Sequence, residues 1–206
     1  MIEALERAAG RPVSRETLDL LETYIARLEA ANQSQNLISA ASMDSIWQRH
    51  ILDSAQLARF EPAPGASWLD IGSGAGLPGI VIALLVAGPV TLVEPRRLRA
   101  TFLDETAAAL GLGGRVAVRC AKIEKIAGSF DVITARAVAP LGRLLGMAHH
   151  LAHDATIWAL PKGRSANMEL VEARRSWQCA ARSVTSFTDP DARILLLSDV
   201  RAKSNR

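Results

Sequence analysis

The sequence predicts an α/β protein: a doubly wound, mostly parallel seven-stranded sheet with a C-terminal antiparallel hairpin and an N-terminal helical extension. Three observations carry that expectation. From residue 68 onward, short apolar runs alternate with helical patterns, the order that builds βαβ units. The first run, Trp68-Leu69-Asp70-Ile71, leads straight into three glycines at alternate positions, Gly72, Gly74 and Gly76. The last two runs, 184–187 and 193–197, flank Thr188-Asp189-Pro190-Asp191, a turn suited to strands of opposite direction.

Taken in order, residues 1–61 form the helical extension and 62–206 the main domain. Over 14–30, Leu18, Leu21, Ile25 and Leu28 recur near helical spacing, with Ser14 placed to cap the first turn. A polar link ending in Asn36, a turn residue, precedes Leu37-Ile38-Ser39. Residues 43–60 read as one continuous helix with Ile46, Trp47, Ile51 and Leu57 apolar, and Glu61-Pro62-Ala63-Pro64-Gly65 is a rigid break. The run 68–71 is apolar enough for a parallel strand covered on both faces. Pro78 then opens a helix over 79–87, a first-turn position where its missing N–H costs nothing. Strand 90–93 ends in Glu94, and helix 96–110 ends near Gly111. Strands are expected next at 115–119, at 130–134 before Ala135-Arg136-Ala137, and at 156–160 before Pro161-Lys162-Gly163-Arg164. Helices are expected at 141–151 and 167–175. Trp47, Trp68, Trp158 and Cys120 read as core residues.

The chain has 206 residues, 49% of them hydrophobic, which is ample for a core and unlike a disordered segment. The net charge of +3 is unevenly placed. Residues 1–66 hold six Lys/Arg against nine Asp/Glu, and residues 67–206 hold eighteen against twelve, so the sheet-forming part suits a polyanionic substrate. Two cysteines, Cys120 and Cys179, make neither a disulfide framework nor a metal quartet, and no metal site is expected. The N-terminus lacks a basic-then-apolar signal pattern. The longest apolar run, 80–87, is too short to span a bilayer. The expectation is a cytoplasmic monomer with no membrane partner.

Ligands of doubly wound sheets sit beyond the carboxyl ends of the strands, which directs attention to the glycine turn. A dinucleotide loop reads G-x-G-x-x-G, and Leu77 stands where its third glycine belongs. What stands instead is D-x-G-x-G-x-G from Asp70 through Gly72, Gly74 and Gly76, which resembles the S-adenosylmethionine loop of class I methyltransferases. Glu94 lies 22 residues after Gly72, near the spacing of about 20 seen in nucleotide-binding βαβ units. A carboxylate at that strand tip can accept hydrogen bonds from both ribose hydroxyls of an adenosine.

Four segments stand in a distinctive order: Asn36-Leu37-Ile38-Ser39, Arg49-His50-Ile51-Leu52-Asp53-Ser54, the glycine loop continued by Leu77-Pro78-Gly79, and Ala135-Arg136-Ala137. With them the sequence, over about 14–197, resembles the bacterial small-subunit rRNA guanine-N7 methyltransferases, the glucose-inhibited division protein B family. The resemblance implies a class I methyltransferase fold and S-adenosylmethionine as cofactor, with S-adenosylhomocysteine as product. It implies direct in-line methyl transfer to N7 of one guanine in the 530 loop of 16S rRNA, the partner being that RNA or the small ribosomal subunit. By the same resemblance Gly72 and Leu77 contact the cofactor, Ile123 and Glu124 border its adenine, and Arg136 completes the pocket. Pro161 departs from the family's usual Leu-Lys-Gly and bears on where Lys162 lies.

The residue chemistry agrees. Guanine N7 carries a free lone pair and no proton, so the enzyme's task is positioning rather than base catalysis. No Asn-Pro-Pro-aromatic tetrapeptide of the amino methyltransferases occurs, and neither cysteine follows a proline as in cytosine-C5 enzymes. Arg136, His50 and Lys162 are the candidates nearest the reacting groups. Each has a plainer reading: Arg136 pairing with Glu124 or Asp70, His50 at the core edge, Asp53 merely holding Arg49 or His50, Lys162 in a solvated loop. Arg96, Arg97 and Arg99 read as a solvated helix face. The alternatives are a methyltransferase of a small molecule or protein, a nicotinamide-dependent oxidoreductase, and a catalytically silent RNA-binding protein. Fold alone does not choose among them.

Overall fold

Strand β1, Trp68–Ile71, lies at the middle of the sheet with all four residues buried. In this computed structural model, which describes residues 1–203, β1 pairs in parallel with β2 (Val90–Val93) on one side and β4 (Phe130–Ala135) on the other. β3 (Val116–Arg119) continues in parallel beyond β2, and β5 (Ala152–Lys162) beyond β4. β7 (Arg193–Ala202) runs antiparallel to β5, and β6 (Trp177–Thr185) forms the far edge against β7. The order β3-β2-β1-β4-β5-β7-β6 makes the winding reverse between β1 and β4, where such sheets open a crevice. The expected seven strands and closing hairpin are all present.

Helices cover both faces. On one lie α1 (Ile2–Ala9), α2 (Arg15–Gln35), α5 (Gly79–Leu85) and α6 (Arg97–Ala109). Leu5, Leu21, Tyr24 and Leu28 from the first two pack into one core with Trp68, Ile80, Ile82 and Leu103. On the other face α7 (Leu141–Ala148) and α8 (Ala166–Ala173) enclose Leu69, Ile71, Trp158 and Leu195. The two-residue period of a strand explains the partition: Trp68 and Asp70 point to the first face, Leu69 and Ile71 to the second. The aspartate thus faces α5. Two ends are sealed as the residue types suggest. Ser14 Oγ accepts the Thr17 N–H at 3.0 Å, and the Arg115 guanidinium donates to the carbonyls of Ala83 in the last turn of α5 and of Val86 and Gly88 just past it.

Four expectations are corrected. Residues 43–60 are not one helix. The chain passes through α3 (Ala40–Met43), a π-helical stretch (Trp47–Leu52), α4 (Asp53–Ala55) and a 3₁₀ turn (Gln56–Phe60). Side chains here are bonded to remote segments, Gln56 and Asp53 to Ser186 and Thr188, contacts that local periodicity does not encode. Cys120 is exposed, because β3 stops at Arg119 on the outer edge of the parallel sheet. Trp68 and Trp158 are buried, but Trp47 is only half-buried and packs at the core's margin. β5 also starts four residues earlier than 156 and ends two beyond 160. Pro161 fits within it because β4 ends at Ala135 and asks for no N–H there, while Pro161 stays opposite Ile194 of β7. Among the described residues no helix is long and apolar enough to cross a membrane.

Candidate active site

Two cavities open side by side beyond the carboxyl ends of the parallel strands. The first, about 590 Å³, lies over β1 and β2. Its floor is the glycine loop, in which Gly72, Gly74 and Gly76 all have positive φ, +67°, +56° and +94°. At Gly74 an added Cβ would meet nothing nearer than the Gly72 carbonyl at 3.7 Å, so the space it would take belongs to the cavity. Gly76 serves otherwise: a Cβ there would come within 2.7 Å of Ile80, so this glycine lets α5 pack close.

The loop is fastened to β2. Gly72 and Ser73 donate their N–H groups to the Val93 carbonyl, at 2.8 and 3.1 Å. The Glu94 carboxylate accepts from Gly74 N–H at 3.0 Å and from Arg96 N–H at 2.8 Å. A carboxylate has about four acceptor sites, so two stay open for hydroxyl donors. Of the residues singled out for a cofactor, Gly72, Gly74, Leu77, Glu94, Ile123, Glu124 and Arg136 line this cavity. Asp70 and Gly76 stand behind it. Arg96 and Arg99, expected on a solvated face, also reach its wall.

Asp70 is buried beneath the loop. One oxygen accepts the Gly79 N–H at 3.1 Å and the other has no partner. Burial lifts this carboxyl to about 7, against the opposing pull of the Gly79 bond and the Arg136 charge. Gly79 is glycine for a packing reason: a Cβ there would fall 2.6 Å from Asp70 Oδ2 and closer still to Leu92.

The second cavity, about 670 Å³, lies beyond β4 and β5. Arg136, Ala137 and Val138 border both cavities and form the partition. Ala137 holds φ +57°, a conformation that alanine adopts only where its surroundings impose it. Arg136 Nη1 lies 3.1 Å from His50 Nδ1, 3.5 Å from the Arg49 carbonyl and 3.6 Å from Asp53 Oδ2. It pairs with neither Glu124 nor Asp70. Burial, then the charges of Arg136 and Arg49, lower His50 to about 4, so near neutrality its Nδ1 accepts from Arg136. The π-helical turn brings the Arg49 carbonyl and the His50 ring to one guanidinium.

Asp53 does not hold Arg49 or His50. Its Oδ1 accepts from Gln56 Nε2 at 2.8 Å and Thr188 Oγ1 at 2.9 Å, tying the helical segment to the turn after β6. Lys162 is no solvated loop residue. Its Nζ donates to Glu169 at 2.8 Å and to the Ala139 carbonyl at 3.2 Å. Burial would raise Glu169, but the bonds from Lys162, Ser165 and Leu141 N–H outweigh it and hold the carboxyl below its ordinary range.

Sequence reasoning gave no role to Leu37 and Ile38, which line the first cavity, or to Tyr24, whose hydroxyl donates to the Ala75 carbonyl at 2.8 Å. The first two lay inside the Asn36-Leu37-Ile38-Ser39 segment, where the pattern marked the stretch but not its use. Tyr24 is the chain's single tyrosine and had only a helical position to recommend it.

A central strand, a glycine loop, an acidic tip on the neighbouring strand and a closing antiparallel hairpin define the S-adenosylmethionine-dependent methyltransferase fold. A SAM dependent methyltransferase from Aquifex aeolicus shares it with a TM-score of 0.58, covering 75% of this chain and 92% of that one at 17% identity. The particular family is set by sequence. The chain belongs to the family described as GidB, rRNA small subunit methyltransferase G, whose model matches residues 17–195. The protein named ribosomal RNA small subunit methyltransferase G in Rhizorhabdus wittichii is 48% identical, covering 98% of this chain and 94% of its own. Its namesake in Zymomonas mobilis subsp. mobilis is 44% identical, covering 94% and 91%.

Proposed function

We propose that this chain methylates N7 of a guanine in the 530 loop of 16S rRNA, presented as RNA or as the small ribosomal subunit, by direct in-line transfer from S-adenosylmethionine. The observation that carries the reading is the pair of cavities meeting at Arg136. One has the shape and donor set of a nucleoside site, and the other is roomy enough for a base.

The first cavity fits the cofactor. Glu94 keeps acceptor sites for the ribose hydroxyls, Ile123 offers an apolar wall to the adenine with Glu124 at its rim, and the turn from Gly72 to Leu77 leaves room for the methionine part. When bound, S-adenosylmethionine supplies a methyl group activated by its sulfonium. The protein's own groups then position. Guanine N7 needs no proton removed, and none of the candidates is poised to remove one: His50 Nδ1 is engaged by Arg136, and Lys162 by Glu169. Arg136, on the partition, orients the two ligands and faces the purine with a hydrogen-bonding edge. The family membership and the basic character of residues 67–206 support an RNA substrate.

The test is labelled methyl transfer to small subunits, and to deproteinised 16S rRNA, from cells lacking the protein, followed by mapping of the product. Label on one guanine N7 of the 530 loop is the expected result. S-adenosylhomocysteine binding with no label on either RNA form, or label on protein instead, overturns the reading.

A further inference from the structure

We infer that helix α2 is part of the cofactor site, with Tyr24 as the residue that sets the glycine loop and the turn at Asn36 supplying the opposite wall. This rests on assigning the first cavity to S-adenosylmethionine.

Tyr24 is fully buried, and its hydroxyl reaches the Ala75 carbonyl at 2.8 Å, 51 positions along the chain. Burial keeps the phenol well above its ordinary range, so it stays protonated and has its hydrogen to donate here. The peptide unit it grips joins Ala75 to Gly76. The N–H of that same unit donates to the Ser73 carbonyl at 2.7 Å. One peptide plane is therefore held at both edges, by the loop itself and by α2. It needs this. One end of the unit is Gly76, at φ +94°, and a residue without a Cβ lets the peptide plane rotate at little cost. Without the phenol the carbonyl edge has no protein donor, and the loop's cavity-facing atoms lose their fixed directions. A ligand would then have to order them on binding, at a cost in affinity.

The other end of α2 acts on the same space. Asn36 ends the helix with φ +48°, in the left-handed region that turns a chain sharply. Asn32 Oδ1 accepts the Ile38 N–H at 2.9 Å and fixes the turn. Leu37 and Ile38 are thereby laid on the wall of the cavity that contains Gly74 and Glu94. One 21-residue helix thus sets both the floor and a side wall, although it lies outside the sheet-forming domain.

Tyr24→Phe keeps the ring and its packing and removes only the donor. Calorimetry with S-adenosylhomocysteine is expected to show a roughly three- to tenfold weaker Kd, and Tm is expected to fall by roughly 2–10 °C because the buried Ala75 carbonyl loses its donor. KM for S-adenosylmethionine should rise in the same proportion while kcat holds. Because the chain has one tyrosine, wild-type protein carrying 3-fluorotyrosine gives a single ¹⁹F resonance. That resonance is expected to shift on titration with S-adenosylhomocysteine, with the calorimetric Kd. Should Tyr24→Phe fold poorly, this wild-type titration decides. An unmoved resonance, or equal affinity in a well-folded Tyr24→Phe, overturns the inference and leaves the cofactor assignment standing. Wild-type protein that binds no S-adenosylhomocysteine overturns both.

Discussion

The two cavities are built from different materials. The first is made of backbone: its glycine loop, the N–H groups bound by Val93 and Glu94, and the peptide plane gripped by Tyr24. The second is made of paired side chains, Arg136 with His50 and Asp53, and Lys162 with Glu169, drawn from segments as far apart as residues 48 and 194. A backbone site has one shape and is suited to one invariant ligand. A site of ion pairs can re-partner when a polar substrate arrives, since such pairs exchange for others of similar energy.

The sharpest way to break this contrast is Gly74→Ala. The new methyl enters the first cavity in a left-handed conformation that disfavours it by about 1–2 kcal/mol. We expect S-adenosylhomocysteine affinity to fall about a hundredfold while RNA binding persists, as read by calorimetry and filter binding. Arg136→Ala comes next. Because Arg136 borders both cavities, turnover should drop about a hundredfold in labelled methyl transfer, as misplacement of reacting groups does, with the protein still soluble. Turnover near wild type would make Arg136 purely structural.

Lys162→Met should be milder and confined to the second cavity. It leaves the partly buried Glu169 short of a donor, at a cost of about 1–3 kcal/mol in denaturant unfolding. KM for RNA is expected to rise with S-adenosylhomocysteine affinity unmoved. A change in cofactor affinity instead would erase the distinction between the two sites.

In the wild-type protein the smallest effect is in pH, because two groups with opposite dependence offset each other. Asp70 binds its proton more tightly folded, at about 7 against 3.8, so stability falls as pH rises through that interval. His50 binds its proton less tightly folded, at about 4 against 6.5, so its contribution rises with pH through its own interval. The two oppose each other up to about pH 6.5. Melting series should separate them: Asp70→Asn gains on wild type from about pH 4 to 7, and His50→Gln loses on wild type from about pH 4 to 6.5. Parallel curves for all three proteins would mean that neither group's environment is as buried as the geometry has it.

The same difference in materials decides how much could be read from the sequence. The first cavity was legible because backbone geometry dictates residue type: positive φ at three alternate positions needs glycine, and Glu94 comes at a fixed interval set by one βαβ unit. The presence of the parallel strands came from the same local patterns, whereas their order in the sheet is set by long-range pairing. The second cavity was not legible, since any of several partners could satisfy Lys162 or Asp53, and Glu169 and Thr188 lie at distances that no periodicity marks. Residues 43–60 failed for that reason too. Their apolar spacing suits a regular helix, and the bonds that break it come from the far end of the chain. Cys120 failed on composition alone, because the preference of cysteine for interiors says nothing about where β3 stops.

The wide turn over Trp47–Leu52 amounts to one residue more than an α-helix would use. Deleting a residue there would let the turn regularise with the segments on either side kept nearly in register, but the residues inside the turn would change the directions they face. Arg49 and His50 would then leave Arg136, so over these six positions chain length is under tighter control than side-chain identity.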